Sequence, residues 1–124
     1  MKPTKKAAEM TVKELARYID QSVLKPEFTV DDIKKYSQEG IDFGCATICI
    51  NPASLPIVAP MVKDTETGLC VVCDFPFGLA TTEAKALLAK EYCSKWNIQD
   101  LDIVANYGWL RSGLHDEVVA DLKP

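Results

Sequence analysis

The sequence predicts an α/β protein in which four parallel βα units, preceded by a short N-terminal helix, form half of a (β/α)8 barrel. Two observations carry that expectation. Short β-branched runs alternate four times with helix-length stretches, the pattern of successive βαβ crossovers, right-handed by rule and building a parallel sheet. Each run also has one apolar face and one face carrying small polar groups. An open, doubly wound sheet is apolar on both faces, whereas a barrel or part of one has a mixed interior opening at the strand C-terminal ends.

Residues 1–10 are charged and unpatterned, and read as a flexible N-terminal extension to a unit spanning 11–124. Thr11-Val12-Lys13-Glu14 has the S/T-x-x-E form of a capping box, which opens a short helix through about Arg17. Tyr18 to Leu24 reads as the first strand, closed by Lys25-Pro26 because proline cannot continue a ladder. Thr29 to Gly40 is the clearest helix, with Thr29 as N-cap, Asp31 and Asp32 at the positive end, Val30, Ile33 and Tyr36 at helical spacing, and Gly40 and Gly44 as its stops. Ala46 to Ile50 is the second strand, and a proline-interrupted helix follows from Ala53 to Lys63 with Leu55, Val58, Ala59 and Val62 inward. Leu69 to Asp74 is the third strand, ending at Phe75-Pro76-Phe77-Gly78. Thr81-Thr82-Glu83 starts a helix whose Ala84, Leu87, Leu88, Glu91 and Tyr92 repeat at helical turns to about Trp96. Leu101 to Asn106 is the fourth strand, closed by Gly108 and Arg111-Ser112-Gly113, and Leu114 to Lys123 begins the last helix.

Fourteen basic against eighteen acidic residues give a net charge of -4, and no basic stripe runs along any element, so nucleic acid is not an expected partner. No apolar run approaches the roughly 20 residues of a membrane span, and no signal-peptide core follows the start. The expected location is the cytoplasm, with no membrane partner. Among five cysteines, Cys70 and Cys73 have the spacing of a zinc or redox knuckle. Residues three apart on a strand point to opposite faces, so these two cannot converge on one ion. With His115 the only histidine, no metal and no cofactor are expected, and the cysteines read as reduced, mostly buried thiols.

The period of two picks out candidate site residues. Asp20, Ser22 and Leu24 share a face of strand one; Thr47, Cys49 and Asn51 of strand two; Cys70, Val72 and Asp74 of strand three; Asp102, Val104 and Asn106 of strand four. An acidic residue such as Asp102 inside an apolar strand is costly to desolvate and needs a partner, a network or a task.

Those stretches resemble the deoxyribose-phosphate aldolases. Ile19 to Pro26 is similar to that family's I-D-H-T-L-L-K-P opening, Ala46 to Pro52 to its A-S-V-C-V-N-P strand, and Asp74 to Gly78 to its G-F-P-L-G turn. Thr81 to Lys85 looks like its T-T-E-x-K helix start, and Leu101 to Gly113 like its I-D-M-V-I-N-I-G-A-L-K-S-G segment; the matches run in order over about residues 15–122. The resemblance implies a TIM barrel and a metal-free class I aldolase. In that family a lysine forms a Schiff base with acetaldehyde, which adds as an enamine to glyceraldehyde 3-phosphate to give 2-deoxyribose 5-phosphate. Carried over, Asp102 matches the proton-transfer acid, Cys49 the cysteine near substrate, and Ser22 a hydroxyl residue beside it. Asp20 and Lys25 match the first-strand motif and are expected to support the site electrostatically, and Asn51, Asp74 and Asn106 to line it.

The chain departs from the family where Gln21 replaces a histidine, Asp74 a glycine, and Trp96-Asn97-Ile98-Gln99 an N-G-A-D turn. A closed barrel takes about 250 residues, so the resemblance covers its N-terminal half. The Schiff-base lysine and the phosphate loops belong to family strands five to eight. The expected reading is a truncated aldolase, inactive without a second half; the alternative is a non-catalytic half-barrel that self-associates or binds a protein. Lys25, the one lysine expected near the strand mouths, is disfavoured as a substitute nucleophile and is expected to pair with Asp20 or Asp102. The expected partners are a second copy or a complementing half-barrel, and a phosphorylated sugar where activity persists.

Overall fold

The computed structural model describes residues 2–123, so that Met1 of the expected extension and Pro124 of the expected half-barrel lie outside it. Four strands, β1 (Asp20–Val23), β2 (Thr47–Ile50), β3 (Gly68–Cys73) and β4 (Asp100–Ile103), form one parallel sheet in the order β1-β2-β3-β4. The helices are α1 (Val12–Ala16), α2 (Val30–Phe43), α3 (Leu55–Val62), α4 (Thr82–Lys95), α5 (Tyr107–Arg111) and α6 (His115–Leu122). Short 3-10 turns cover Ala7–Glu9 and Pro52–Ser54. Each crossover carries a helix, so the architecture is the expected four βα units with a short helix in front. No helix among the described residues is long and apolar enough to cross a membrane.

The two-faced strands organise the interior. Val23, Ile48, Ile50, Leu69, Val71 and Cys73 pack beneath the helices with Leu55, Val58 and Tyr92. Leu101 and Ile103 of β4 extend the same layer. Cys49, Cys70 and Val72 form a smaller buried cluster on the opposite face, flanked by Leu24. Burial of the first layer supplies the main driving force, at roughly 25 cal/mol per Å² of apolar surface removed from water.

Capping chemistry sets the helix starts. The Thr11 and Thr29 side chains accept from the backbone N–H of Glu14 and Asp32, and those acidic side chains accept in return from the Thr11 and Thr29 N–H. Thr81 caps α4 by accepting from Ala84 N–H. Ahead of α1, Lys5 pairs with Glu14 at 2.6 Å, which ties part of the expected extension to the first helix.

Several expectations are corrected. Of the two expected stops, Gly40 does not end α2; the helix runs to Phe43 and stops at the other, Gly44, whose φ of 80° closes it in the left-handed region. Gly40 instead sits where α2 crosses the sheet, and a Cβ there would meet Ile48 Cδ1 at 2.5 Å and Gln21 Cβ at 2.8 Å. On α4, Leu87 faces solvent at 69 % exposure while Lys85 is buried at 2 %. Val30 is exposed at the start of α2. The strands are also shorter than expected: β1 starts at Asp20 and β4 ends at Ile103.

Gly40→Ala tests the close approach. Helix propensity alone favours alanine by about 1 kcal/mol, yet the fixed Gln21 Cβ blocks the added methyl. The expected outcome is a net destabilisation of about 1–3 kcal/mol in urea unfolding; equal or higher stability would mean that α2 does not ride this close to β1 and β2.

Candidate functional site

Short, in-register strands bring the polar residues of the inner face together. Ser22 of β1 pairs with Cys49 of β2, Cys49 with Cys70 of β3, and Val72 with Asp102 of β4. Ser22, Leu24, Cys49, Val72, Phe75, Asp102, Ile103 and Val104 line a cavity of about 410 Å³ on this face. Asp102 is exposed at its wall, and Cys49 is buried at its floor. The Cys49–Cys70 thiol hydrogen bond holds Cys49 below the usual thiol range and pushes Cys70 above it, burial adding to the rise at Cys70.

Not every expected residue reaches this cavity. Asp20 opens β1, in register with Thr47 and Gly68 at the strand starts, so it lies at the N-terminal end of the sheet rather than at the mouth. There it accepts from Thr47 Oγ1 at 2.7 Å. Asn51 follows β2, and its Nδ2 donates to the Leu24 carbonyl at 3.2 Å, which fastens the chain after β1 to the chain after β2. Asn106 is not a strand residue: β4 has ended, and its Oδ1 accepts from Trp109 N–H at 3.1 Å as the N-cap of α5. Lys25 pairs with neither Asp20 nor Asp102; its Nζ lies 5.7 Å from the centre of the Phe28 ring, a cation–π contact. Gln21 points under α2, its Nε2 donating to the Tyr36 carbonyl at 3.3 Å.

Asp74 has a φ of 57°, a left-handed conformation that aspartate tolerates better than most side chains, where the aldolase turn carries glycine. Its carboxylate accepts from Ala80 N–H at 2.9 Å and lies 3.7 Å from Lys85 Nζ, so it holds the β3–α4 turn together. Lys25, two residues past the end of β1, is not the one lysine near the strand C-terminal ends: Lys85 is there too, and buried. Its Nζ donates to the Gly78 carbonyl at 3.0 Å, to the Val104 carbonyl at 3.1 Å and to Asp121 Oδ2 at 2.5 Å. Thr82 Oγ1 donates to the other oxygen of Asp121 at 2.6 Å. Every donor of the ammonium is used, so Lys85 is a structural tie rather than a free amine. Burial alone would raise the Asp121 carboxyl, but the Lys85 and Thr82 hydrogen bonds and the Lys85 charge outweigh it and hold Asp121 below the ordinary carboxylate value. The sequence signal for this network was the threonine-capped helix start, which sets Lys85 one turn in; nothing local pointed to Asp121.

The fold defines half of a (β/α)8 barrel, with Ser22 and Asp102 set in an otherwise largely apolar inner-face cavity. The proteins it is similar to are deoxyribose-phosphate aldolases. A curated deoxyribose-phosphate aldolase from Clostridium kluyveri is 38% identical over 114 residues, covering 92% of this chain and 52% of the relative. The structure of a Coccidioides immitis protein assigned as a deoxyribose-phosphate aldolase superposes with a TM-score of 0.82 at 28% identity, over 90% of this chain and 44% of that one. The tetrameric deoxyribose phosphate aldolase of Aeropyrum pernix shares the fold, with a TM-score of 0.71 at 24% identity over 90% of this chain and 50% of that one. No protein-family model matches the chain. The chain thus spans about half the length of the relatives it matches.

The Lys85 network makes two expectations measurable. Lys85→Met leaves Asp121 buried without its cation and is expected to cost about 3–5 kcal/mol in chemical denaturation. Because Asp121 is depressed in the folded state, its contribution is complete above the unfolded carboxylate value of about 3.9 and fades as pH falls through the lower folded value. Asp121→Asn should flatten that acid limb of the stability curve; coincident acid limbs for the two proteins would remove Asp121 from the account.

Proposed function

We propose that this chain is the first four βα units of an aldolase of the deoxyribose-phosphate type, and that it turns over only with a further (βα)4 segment. The observation that supports this best is Asp102, at the family's proton-transfer position, facing the cavity with Ser22 and Cys49 beside it. A carboxylate open to the cavity can take a proton from, and return it to, the carbon and hydroxyl of an aldol adduct bound there, a role worth about 10²- to 10⁴-fold in rate. Class I chemistry also needs an amine kept partly neutral by burial or by a neighbouring cation. Lys85 is consumed by three hydrogen bonds, and Lys25 is exposed over Phe28. The Schiff-base lysine is therefore assigned to the complementing segment, as are the groups that hold the substrate phosphate. The substrate is 2-deoxyribose 5-phosphate, cleaved to acetaldehyde and glyceraldehyde 3-phosphate, and the site of action is the cytoplasm.

A mixture of this chain with the C-terminal half of the Clostridium kluyveri relative should cleave 2-deoxyribose 5-phosphate. Borohydride with acetaldehyde should trap a lysine on the added half and leave this chain unmodified. Asp102→Asn should slow the mixture by at least about 10²-fold. A folded mixture with no cleavage, or one indifferent to Asp102→Asn, would defeat the assignment.

A second reading, a non-catalytic module that self-associates, is favoured by the sheet edges. Beside β1 the chain exposes Val12, Leu15, Tyr18 and Ile19; beyond β4 it exposes Tyr107, Trp109, Leu110 and Leu114. Open ladders flanked by such residues are relieved by association. Sedimentation of the isolated chain is expected to give a dimer or larger species, and a monodisperse monomer would remove this reading.

A further inference from the structure

Cys70 has no part in the aldolase reading, yet its sulfur, the sulfur of Cys49 and a carboxylate oxygen of Asp102 all lie within 4.8 Å of one another. The register creates the cluster. Cys49 and Cys70 are paired across β2 and β3, while Asp102 pairs with Val72, the next residue of β3 on the same face. As the strand period predicts, Cys70 and Cys73 part to opposite faces, and Cys73 is buried in the helix-facing core with Tyr92. The thiols that converge come from neighbouring strands.

We propose that Cys49, Cys70 and Asp102 bind a soft divalent cation of the zinc class through two thiolates and one carboxylate. Zinc takes tetrahedral sulfur and oxygen donors at about 2.3 and 2.0–2.2 Å, so its ligand atoms stand roughly 3.4–3.8 Å apart. The three donor atoms already lie within 4.8 Å of one another, so they need only draw together to meet that spacing. Both sulfurs are buried, whereas Asp102 opens on the cavity lined by Ser22, Leu24 and Phe75. Three protein ligands with a fourth position toward a cavity is the arrangement of an accessible site rather than a closed structural one. Thiolate donors favour zinc over magnesium or calcium, which take oxygen ligands. Binding releases the two thiol protons to solvent and leaves the metal with three anionic ligands, so occupancy rises with pH. An ion held here would also engage the Asp102 carboxylate and so exclude it from proton transfer, although the site itself does not rest on the aldolase reading.

Cobalt(II) added to the reduced chain tests this directly, because thiolate coordination gives a near-ultraviolet charge-transfer band and tetrahedral geometry gives intense visible bands. The wild-type chain is expected to show both, with zinc bleaching them. Cys49→Ser and Cys70→Ser should each abolish the charge-transfer band or reduce it by half, while Cys93→Ser, at an exposed position on α4, should leave it intact. Asp102→Asn, on the exposed cavity wall, should weaken cobalt binding without disturbing the fold, and it decides the matter if the buried serine variants do not fold. No band in the wild type would overturn the site, as would a band that survives both serine substitutions or an affinity unchanged by Asp102→Asn.

Discussion

The C-terminal side of the half-barrel is held by one buried ammonium. Lys85 rises from the first turn of α4 and binds the end of the β3–α4 turn through Gly78, the chain leaving β4 through Val104, and α6 through Asp121. Asp74 stands by at 3.7 Å and secures the same turn through Ala80. A parallel sheet must deliver its functional residues on loops, and loops are the parts least fixed by backbone ladders. Here a charge that would be very costly to bury alone is neutralised and fully hydrogen-bonded. The segments it gathers include Val104, part of the wall of the inner-face cavity. The positions of Asp102 and its neighbours follow from two constraints: register from below and this tie from above.

Much of the fold was legible from local patterns because local physics decided it. The threonine caps at 11, 29 and 81 begin helices where side chains satisfy free N–H groups. The alternation in Ile48, Cys49 and Ile50 divides two faces that the structure keeps apart. What local pattern could not supply was the third dimension. Gly40 looked like a stop and is a point of contact between helix and sheet, a property of its neighbours Ile48 and Gln21 rather than of its own segment. The alternation through Val104 and Asn106 continued past the true end of β4, because a strand residue and a helix cap can share one sequence signature.

The site divides in the same way. Ser22, Cys49 and Asp102 were readable from period and resemblance, and the structure brings them to one cavity. Asp20 was misplaced since face and end are separate questions: parity fixes the face, and only the register with Thr47 and Gly68 fixes the end. Lys85 escaped notice because a helical lysine ordinarily faces water, and the partner that buries it lies in α6. The strand period separated Cys70 from Cys73, but only the register shows that its neighbour across the sheet is Cys49 of β2.

The strand order has a consequence for how the molecule forms. Every ladder joins a strand to the one that follows it in the chain, and none reaches over an intervening strand. Pairing of this kind closes only modest loops, so the sheet can assemble in the order of synthesis, each βα unit docking on the one just made. The Lys85–Asp121 contact is the exception, since it waits for α6, close to the last residues described. The topology thus permits sequential growth through the strands, and the Lys85–Asp121 tie closes only once α6 is present.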